Sequence, residues 1–356
     1  MLAPVEPRAE TPQRILIRAP NWVGDVVMAT SSFADVRRAF PAAHVAILAK
    51  PGRQKILEGS PDFDRFIPDE GGNSPSAIWR LSRELRAGRF DLALILPNSF
   101  RTALVCRLAG IPRRYGYRRN LRSLLLTDGV DYEREGGRRK PVPMPVFYAK
   151  LCEKAGIPRG DLRPRLFVPE ACEERARALR RDLGIAEGER LIGINPGASF
   201  GASKLWPPER FSAAADALTQ RHGLRTILFV GPGEESIAEA IRARMQTTPI
   251  YNPARLVPLD LLKPFIRDLE LLVTTDTGPR HYAVAFGVPV VVVMGPTHPD
   301  YTAVNLERTR VVRHDVPCGP CHLKVCPIDH RCMVGIQSDE VVEAAEGLLR
   351  GLRRFA

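Results

Sequence analysis

The feature that most constrains this chain is an abrupt change of pattern between residues 271 and 287. An apolar, β-prone run at residues 271–275 ends in Asp276, Thr277 and Gly278, and a helical pattern begins at once. This order predicts a strand, a tight turn and a helix N-terminus. Unpaired backbone N–H groups and the helix dipole suit such a junction to a phosphate or diphosphate. A capped helix without any ligand has the same pattern, so both interpretations stay open.

Short apolar runs and helical stretches alternate in the same way through both halves of the 356 residues. Strands are predicted at residues 14–18, 44–49, 92–96, 191–194, 226–230, 271–275 and 288–294. A segment rich in proline and glycine at residues 156–170 separates the two series. The pattern predicts two Rossmann-like, doubly wound α/β domains whose ligands bind beyond the carboxyl ends of the strands.

We expect the domains to divide the chain at the proline-rich segment. The N-terminal domain is predicted at residues 1–168 and the C-terminal domain at residues 169–338. An amphipathic helix is predicted at residues 339–356, and it could pack back toward the N-terminal domain.

The positive charge of the chain is concentrated in its first half. Residues 1–168 hold 29 Lys and Arg against 17 Asp and Glu, whereas residues 169–356 hold 23 of each. Such a basic half suggests a polyanionic partner: nucleic acid, an anionic membrane surface or a phosphorylated acceptor. A solvated arginine-rich face is the alternative. No nucleic-acid motif is recognisable, and few aromatic residues lie among the arginines.

Two further patterns concern location. No apolar run reaches the roughly 18 residues that a membrane-spanning helix needs. The first 13 residues are polar and lack the apolar segment of a signal peptide. A cytoplasmic location is therefore expected.

Three charged residues follow predicted strands and are candidates for chemistry. Asp25, next to Gly24 after the first strand, is placed to act as a general base, or else to cap the following helix. Lys204 follows the first strand of the second half, where it is either a diphosphate ligand or a solvated lysine. Glu235 follows a glycine-containing turn, where a carboxylate can accept hydrogen bonds from a ribose.

A cluster of cysteines near the C-terminus suggests a structural metal site. Two histidines, His322 and His330, are interleaved with four cysteines: Cys318, Cys321, Cys326 and Cys332. The density of thiol ligands suits a structural zinc ion, although the spacing is tighter than in common zinc ribbons. Reduced cysteines that pack an irregular loop, or a facultative disulfide, are the alternatives. The Asp-x-Asp pattern at residues 62–64 is interpreted as a turn into a strand.

Five motifs, taken in order, carry a family resemblance. They are NWVGD at residues 21–25, LPNSFR at 96–101, PGA at 196–198 with KLWP at 204–207, DTGxxH at 276–281, and GPTxP at 295–299. Together they resemble the bacterial ADP-heptose:lipopolysaccharide heptosyltransferases over almost the whole chain. The Asn-Ser-Phe element at residues 98–100 makes the resemblance closest to the heptosyltransferase II group.

The resemblance implies a GT-B architecture, with two Rossmann-like domains that face a central cleft. It implies an inverting transfer of L-glycero-D-manno-heptose from ADP-heptose to the first heptose of the lipopolysaccharide inner core, with Asp25 as general base and no catalytic divalent metal. The acceptor would be phosphorylated lipid A–Kdo–heptose at the cytoplasmic face of the inner membrane, with which the protein would associate peripherally. By motif, the acceptor would meet Asn98, Ser99 and Arg101, and the donor would meet Lys204, Glu235, Asp276, Thr277, Gly278 and His281.

The resemblance leaves some points open. The family usually has Asn where this chain has Thr275, and the segment at residues 252–259 also departs from the family pattern. Asp276 is expected to cap its helix or to hold hydroxyls of the donor sugar. Six arginines are unranked candidates for acceptor phosphates, at positions 101, 113, 114, 118, 119 and 122. The alternative functions are a related transferase with another heptose acceptor or nucleotide-sugar, and a basic nucleic-acid-binding protein.

Overall fold

The structure is a computed structural model that describes residues 11–353. The polar segment at residues 1–10 and the last three residues predicted for the C-terminal helix lie outside that range.

The first half of the chain forms one parallel sheet with the strand order β3-β2-β1-β4-β5-β6. Its strands are β1 (Arg14–Arg18), β2 (His44–Ala49), β3 (Arg65–Pro68), β4 (Leu92–Ile95), β5 (Arg113–Tyr117) and β6 (Asp128–Val130). Its helices are α1 (Val23–Ala39), α2 (Gln54–Leu57), α3 (Pro75–Ala87), α4 (Phe100–Leu108) and α5 (Met144–Lys154). A small antiparallel hairpin of β7 (Arg134–Glu135) and β8 (Arg138–Arg139) follows β6.

The second half forms another parallel sheet with the order β10-β9-β11-β12-β13. Its strands are β9 (Leu191–Asn195), β10 (Arg225–Leu228), β11 (Leu269–Thr275), β12 (Val290–Val293) and β13 (Thr309–Val312). Its helices are α6 (Glu170–Asp182), α7 (Pro208–His222), α8 (Glu235–Arg242), α9 (Leu262–Arg267), α10 (Gly278–Phe286), α11 (Arg331–Val334) and α12 (Ser338–Arg353).

Both sheets are covered by helices on their two faces, which explains their continuous apolar sequences. Strand β4 and strand β12 are buried at every residue, as expected for parallel strands inside a doubly wound fold. In each sheet the strand order reverses beside the first strand, at β1/β4 and at β9/β11. Ligands of such sheets bind at these switch points.

The C-terminal helix α12 packs on its own domain. Its apolar residues Val341, Val342 and Ala345 are buried in the core of the second sheet, and the helix contacts α7, β12 and β13. The expectation that this helix could return to the N-terminal domain is therefore wrong for the described residues, because its apolar face is already covered.

The two domains meet where α1 and α10 begin. A side-chain carbon added to Gly24 would lie 2.7 Å from Cδ2 of His281, and one added to Gly278 would lie 2.8 Å from a methyl of Val23. Two glycines thus allow the N-termini of these helices to touch across the cleft. This contact brings the loops after β1 and β11, far apart in sequence, to one place.

Candidate active site

A cavity of about 720 Å³ opens between the domains at these helix N-termini. We call it the interdomain cavity; its wall includes Trp22, Asp25, Asn98, Arg119 and Arg139 from the first half and Lys204, Asp276, Thr277, Gly278 and His281 from the second. Its volume is in the range of sites that bind a nucleotide-sized ligand. The structure therefore brings together most of the residues that the sequence singled out.

Asp25 lies in the first turn of α1, where its carboxyl group faces the interdomain cavity. The N-cap of α1 is Trp22, which makes no side-chain cap, so Asp25 is not the capping residue. Burial raises the pKa of Asp25 to about 6, against the opposing effects of a hydrogen bond from the Tyr148 hydroxyl and the charge of Lys204. A carboxylate with a pKa near neutrality is suited to general-base work.

Asp276 binds cations and a hydroxyl. Lys204 Nζ donates to its Oδ2 at 2.9 Å and to its backbone oxygen at 2.6 Å, and Arg280 Nη1 donates to Oδ1 at 2.8 Å. The Thr297 hydroxyl donates to Oδ2 at 2.7 Å. The N-cap of α10 is Thr277, so the expectation that Asp276 caps its helix is wrong. Its carboxylate accepts hydrogen bonds from Lys204, Arg280 and Thr297.

The cluster of Lys204, Asp276 and Arg280 carries a net charge of plus one. Although burial acts in the other direction, Lys204 and Arg280 hold the pKa of Asp276 well below its usual range, so this carboxyl group stays ionised near neutral pH. Burial and the charge of Arg280 lower the pKa of His281 to about 3. His281 is therefore neutral, and it offers a ring N–H or nitrogen rather than a positive charge.

The end of β11 is held by side-chain hydrogen bonds to the last residue of β9 and to the loop that follows it. Asn195 Nδ2 donates to the hydroxyls of Thr274 at 2.9 Å and of Thr277 at 3.0 Å. The Thr275 hydroxyl donates to the backbone oxygen of Gly197 at 2.7 Å. Thr275, which departs from the family pattern, thus joins the two loops that border the cavity.

The carboxylate next to the glycine turn after β10 is that of Glu234, not Glu235. Glu234 accepts hydrogen bonds from the backbone N–H groups of Ala198 at 3.0 Å and Gly231 at 2.9 Å. Glu235 begins α8 and is not among the residues that line the interdomain cavity. Because the two glutamates are neighbours, the sequence pattern could not tell which one faces the loop after β9.

The predicted acceptor residues have different positions. Asn98 lines the interdomain cavity. Ser99 is the N-cap of α4 and accepts from the backbone N–H of Thr102. Arg101 makes two 2.8 Å bonds to the carboxylate of Asp69. The hydroxyl of Ser99 and the guanidinium of Arg101 therefore have structural partners, and neither residue is part of the cavity wall.

The structure also ranks the other candidate arginines. Arg113 pairs with Asp91, and Arg118 pairs with Asp128 and Asp131. Arg114 and Arg122 are buried and donate to backbone oxygens. Arg119 lines the interdomain cavity.

Arg139, which no motif indicated, joins Arg119 on the cavity wall. Its guanidinium lies 4.3 Å from the ring centre of Tyr132, and that of Arg119 lies 5.8 Å from the same ring. Arg139 also lies 5.8 Å from the ring of Tyr301 in the other domain. Within residues 11–353, neither guanidinium pairs with a carboxylate. Two positive charges are thus available on the part of the cavity wall that the first half of the chain supplies.

The four C-terminal cysteines line one small cavity of about 20 Å³, together with His330. They are free thiols, and the buried Cys332 has a raised pKa because of burial and of the three neighbouring thiols. Among the described residues, however, no three His, Cys, Asp or Glu side chains are arranged to hold a metal ion. His330 instead contacts the backbone oxygen of Ser203 at 2.6 Å.

Two Rossmann-like domains whose switch points meet at one cavity, with a raised-pKa carboxyl group and a net positive cluster beside it, are the arrangement expected of a glycosyltransferase of the GT-B architecture. The chain belongs to glycosyltransferase family 9 (heptosyltransferase), whose family model matches residues 78–331.

Similar proteins agree with this family. Lipopolysaccharide heptosyltransferase 2 of Escherichia coli (strain K12) is 29% identical over 353 residues, which cover 94% of this chain and 98% of that protein. The solved structure of E. coli ADP-heptose lps heptosyltransferase II is 28% identical with a TM-score of 0.76, covering 96% of this chain and all of that one. The glycosyl transferase family 9 structure from Veillonella parvula DSM 2008 has the same fold, at 24% identity, 95% and 97% coverage and a TM-score of 0.81.

The helices of the described chain include none that is both long and apolar enough to cross a membrane.

Proposed function

We propose that this protein transfers L-glycero-D-manno-heptose from ADP-heptose to the first heptose of the lipopolysaccharide inner core, with inversion at the anomeric carbon. The observation that carries the proposal is the placement of Asp25 in one cavity with Lys204 and Asp276, whose carboxylate also binds the buried Arg280. The names of the similar proteins, ADP-heptose and lipopolysaccharide heptosyltransferases, support the donor and the acceptor class.

Asp25 takes the proton of the acceptor hydroxyl as that oxygen attacks the anomeric carbon. The new carbon–oxygen bond forms as the bond from the sugar to the diphosphate breaks, and the electron pair of the broken bond leaves with ADP. With a pKa of about 6, Asp25 is mostly ionised at neutral pH and basic enough to accept the proton. The hydrogen bond from Tyr148 holds the carboxylate in a fixed direction.

Negative charge grows on the diphosphate as ADP leaves. Two of the three N–H groups of Lys204 are occupied by Asp276, which leaves one for a phosphate oxygen. Backbone N–H groups at the start of α10 and a ring N–H of neutral His281 add donors without further charge. Such fixed donors stabilise the transition state because they need no reorganisation.

These groups also supply the positive charge that a divalent cation supplies in other transferases, so we propose that catalysis requires no metal. A chelator should leave turnover unchanged. Asp276 acts in this scheme through Lys204 and Arg280, which it positions.

Arg119 and Arg139 are the proposed partners of acceptor phosphates. Among the described residues their guanidinium groups have no carboxylate partner, and both residues line the same cavity as Asn98 and Asp25, within reach of an acceptor bound there. The acceptor is a lipid, so we also propose that the protein works at the cytoplasmic face of the inner membrane as a peripheral protein. The positive charge of the first half suits both partners.

We propose separately that the cysteine cluster binds a structural zinc ion. The four thiols share one cavity and suit zinc chemically, but bound zinc would have to draw them closer together than they are here. Titration of the purified protein decides this: about one equivalent of zinc with protected thiols supports the site, and freely reactive thiols with little zinc contradict it.

An assay of ADP release tests the proposed reaction. Release is expected with ADP-heptose and heptosyl-Kdo2-lipid A, and not with the acceptor that lacks its first heptose. Turnover with a different acceptor or donor would favour the related transferase. Salt-dependent DNA binding without affinity for ADP-heptose would favour the nucleic-acid hypothesis.

A further inference from the structure

Two leucines next to the interdomain cavity are almost completely exposed. Leu121 is 89% and Leu124 is 91% exposed, more than any other large hydrophobic side chain of the described chain. Leu121 is the N-cap of a 3₁₀ turn at Arg122–Leu125, and Leu124 lies within that turn. Two leucines are therefore exposed to solvent within four consecutive residues. We call residues 120–125 the leucine turn.

The leucine turn is firmly held, so the exposure of these leucines does not come from a loose loop. Arg122 is fully buried at the centre of the turn and donates to the backbone oxygen of Tyr117 at 2.8 Å and to Asn98 Oδ1 at 3.3 Å. Asn120 Nδ2 donates to the backbone oxygen of Asn98 at 3.0 Å. The next residue after the turn, Leu126, packs in the core of the first sheet.

These anchors also place the leucine turn at the acceptor side of the site. Asn98, to which both Asn120 and Arg122 bond, lines the interdomain cavity. Arg119, which lines the same cavity, precedes Leu121 by two residues. An apolar group at this position therefore lies close to where the acceptor enters.

The surroundings of the leucine turn are basic. Residues 113–140 contain nine Lys and Arg against four Asp and Glu. The exposed Arg119 directly precedes the turn, whereas the guanidinium of its neighbour Arg118 is paired with Asp128 and Asp131. The hairpin of β7 and β8 adds the exposed Arg134 and Arg138, and Arg139 at its end shares the ring of Tyr132 with Arg119. Exposed leucines among arginines suit a bilayer of anionic lipids. The leucines can be buried in the acyl region, and the guanidinium groups can bind the lipid phosphates.

We infer that the leucine turn inserts Leu121 and Leu124 into an anionic lipid leaflet, which sets the mouth of the interdomain cavity against the membrane. An acidic protein could also bind an apolar and basic surface. We choose a lipid surface because the inference rests on the proposed function, in which lipid chains anchor the acceptor in the bilayer. Beyond that function, the inference identifies which part of the protein surface contacts the membrane.

Co-sedimentation with vesicles tests the inference. Vesicles of phosphatidylethanolamine and phosphatidylglycerol are compared with vesicles of phosphatidylcholine alone, using the full chain. The wild type should bind the first and not the second, and the double variant L121S/L124S should lose roughly tenfold or more in binding. The matched control V325S/I328S, also an exposed apolar pair three residues apart, 68% and 59% exposed, should bind like the wild type.

Turnover with detergent-dispersed acceptor separates membrane binding from catalysis. It should be equal in the wild type and both double variants, which also shows that the variants are folded. A second probe is L124W. After subtraction of the emission of the wild type, which has three tryptophans of its own, the added tryptophan should shift to the blue when phosphatidylglycerol vesicles are added, whereas that of V325W should not.

Equal vesicle binding by L121S/L124S and the wild type overturns the inference, and so does equal loss in both double variants. No vesicle binding by the wild type overturns it as well. Absence of turnover in every form, with normal vesicle binding, instead refutes the proposed reaction and leaves the membrane surface standing.

Discussion

Replacing Asp25 with asparagine should remove activity and at the same time stabilise the protein. The shape of the side chain is kept, and only the ionisable group is lost. A lost general base costs on the order of 100-fold or more in turnover. ADP affinity should change little, because the proposed diphosphate ligands lie on the other domain. ADP release and calorimetric titration with ADP measure the two effects.

The stability gain follows from the pKa of Asp25. Its folded-state value of about 6 exceeds the ordinary 3.8 by about two units, which corresponds to about 3 kcal/mol of free energy of unfolding. Because the folded-state pKa is the higher one, the cost of ionised Asp25 is absent below pH 3.8 and complete above pH 6. D25N should therefore raise the free energy of unfolding by up to about 3 kcal/mol at pH 8, and by about half of that at pH 5.

Urea unfolding at the two pH values measures this difference. D35N on the same helix is the control: Asp35 is buried but accepts a hydrogen bond from the backbone N–H of Gly160 and pairs with Arg38, so its replacement should destabilise the protein. In the wild type, turnover should fall about tenfold for each pH unit below about 6. A D25N protein that is no more stable than the wild type at pH 8, or wild-type turnover that stays constant from pH 7 to pH 5, refutes the reasoning.

Three further tests, two of them with a matched control variant, concern other parts of the site. K204A should weaken ADP binding by about 1.5 to 3 kcal/mol in calorimetric titration, and an unchanged affinity would remove Lys204 from the donor site. R139M should raise the acceptor KM by roughly tenfold and leave the ADP affinity normal. R101M should lower thermal stability and leave the acceptor KM unchanged. A raised acceptor KM in R101M, with a normal KM in R139M, would contradict the ranking of the arginines. G278A should cost about 1 to 3 kcal/mol of unfolding free energy and reduce turnover, because the new methyl meets α1. G347A in α12 has open space around it and should be neutral or stabilising, so equal losses in both variants would show that the helix contact does not matter.

The strands of the two sheets were predictable because each strand is encoded by a local pattern of apolar residues. Parallel strands covered on both faces, such as β4 and β12, are continuous apolar runs. The strand, turn and helix at Asp276 also occur where the pattern places them. The packing of α12 was not predictable, since its apolar stripe indicates burial but does not say against which domain.

Within the site, the sequence indicated polar residues that follow strands. It could not show which of two neighbouring side chains faces a given loop, or which side chains are bound by distant segments of the chain. Glu234 and Glu235 are adjacent, and only the path of the chain into α8 shows that Glu234 faces the loop after β9. Arg101 belongs to a motif, yet its donors are occupied by Asp69. Arg139 belongs to no motif, and its position on the cavity wall depends on its contact with the ring of Tyr132.

The sequence by itself determined the two doubly wound domains and the strand-to-helix junctions, because hydrophobic periodicity and turn chemistry act between neighbouring residues. Only the tertiary structure decided what each polar group near the cleft does. Asp276 positions two cations, and Asp25 has a raised pKa, because helices from opposite domains bury these carboxyl groups in one cavity. Burial and partner choice are properties of contacts between distant segments, and no local pattern encodes them.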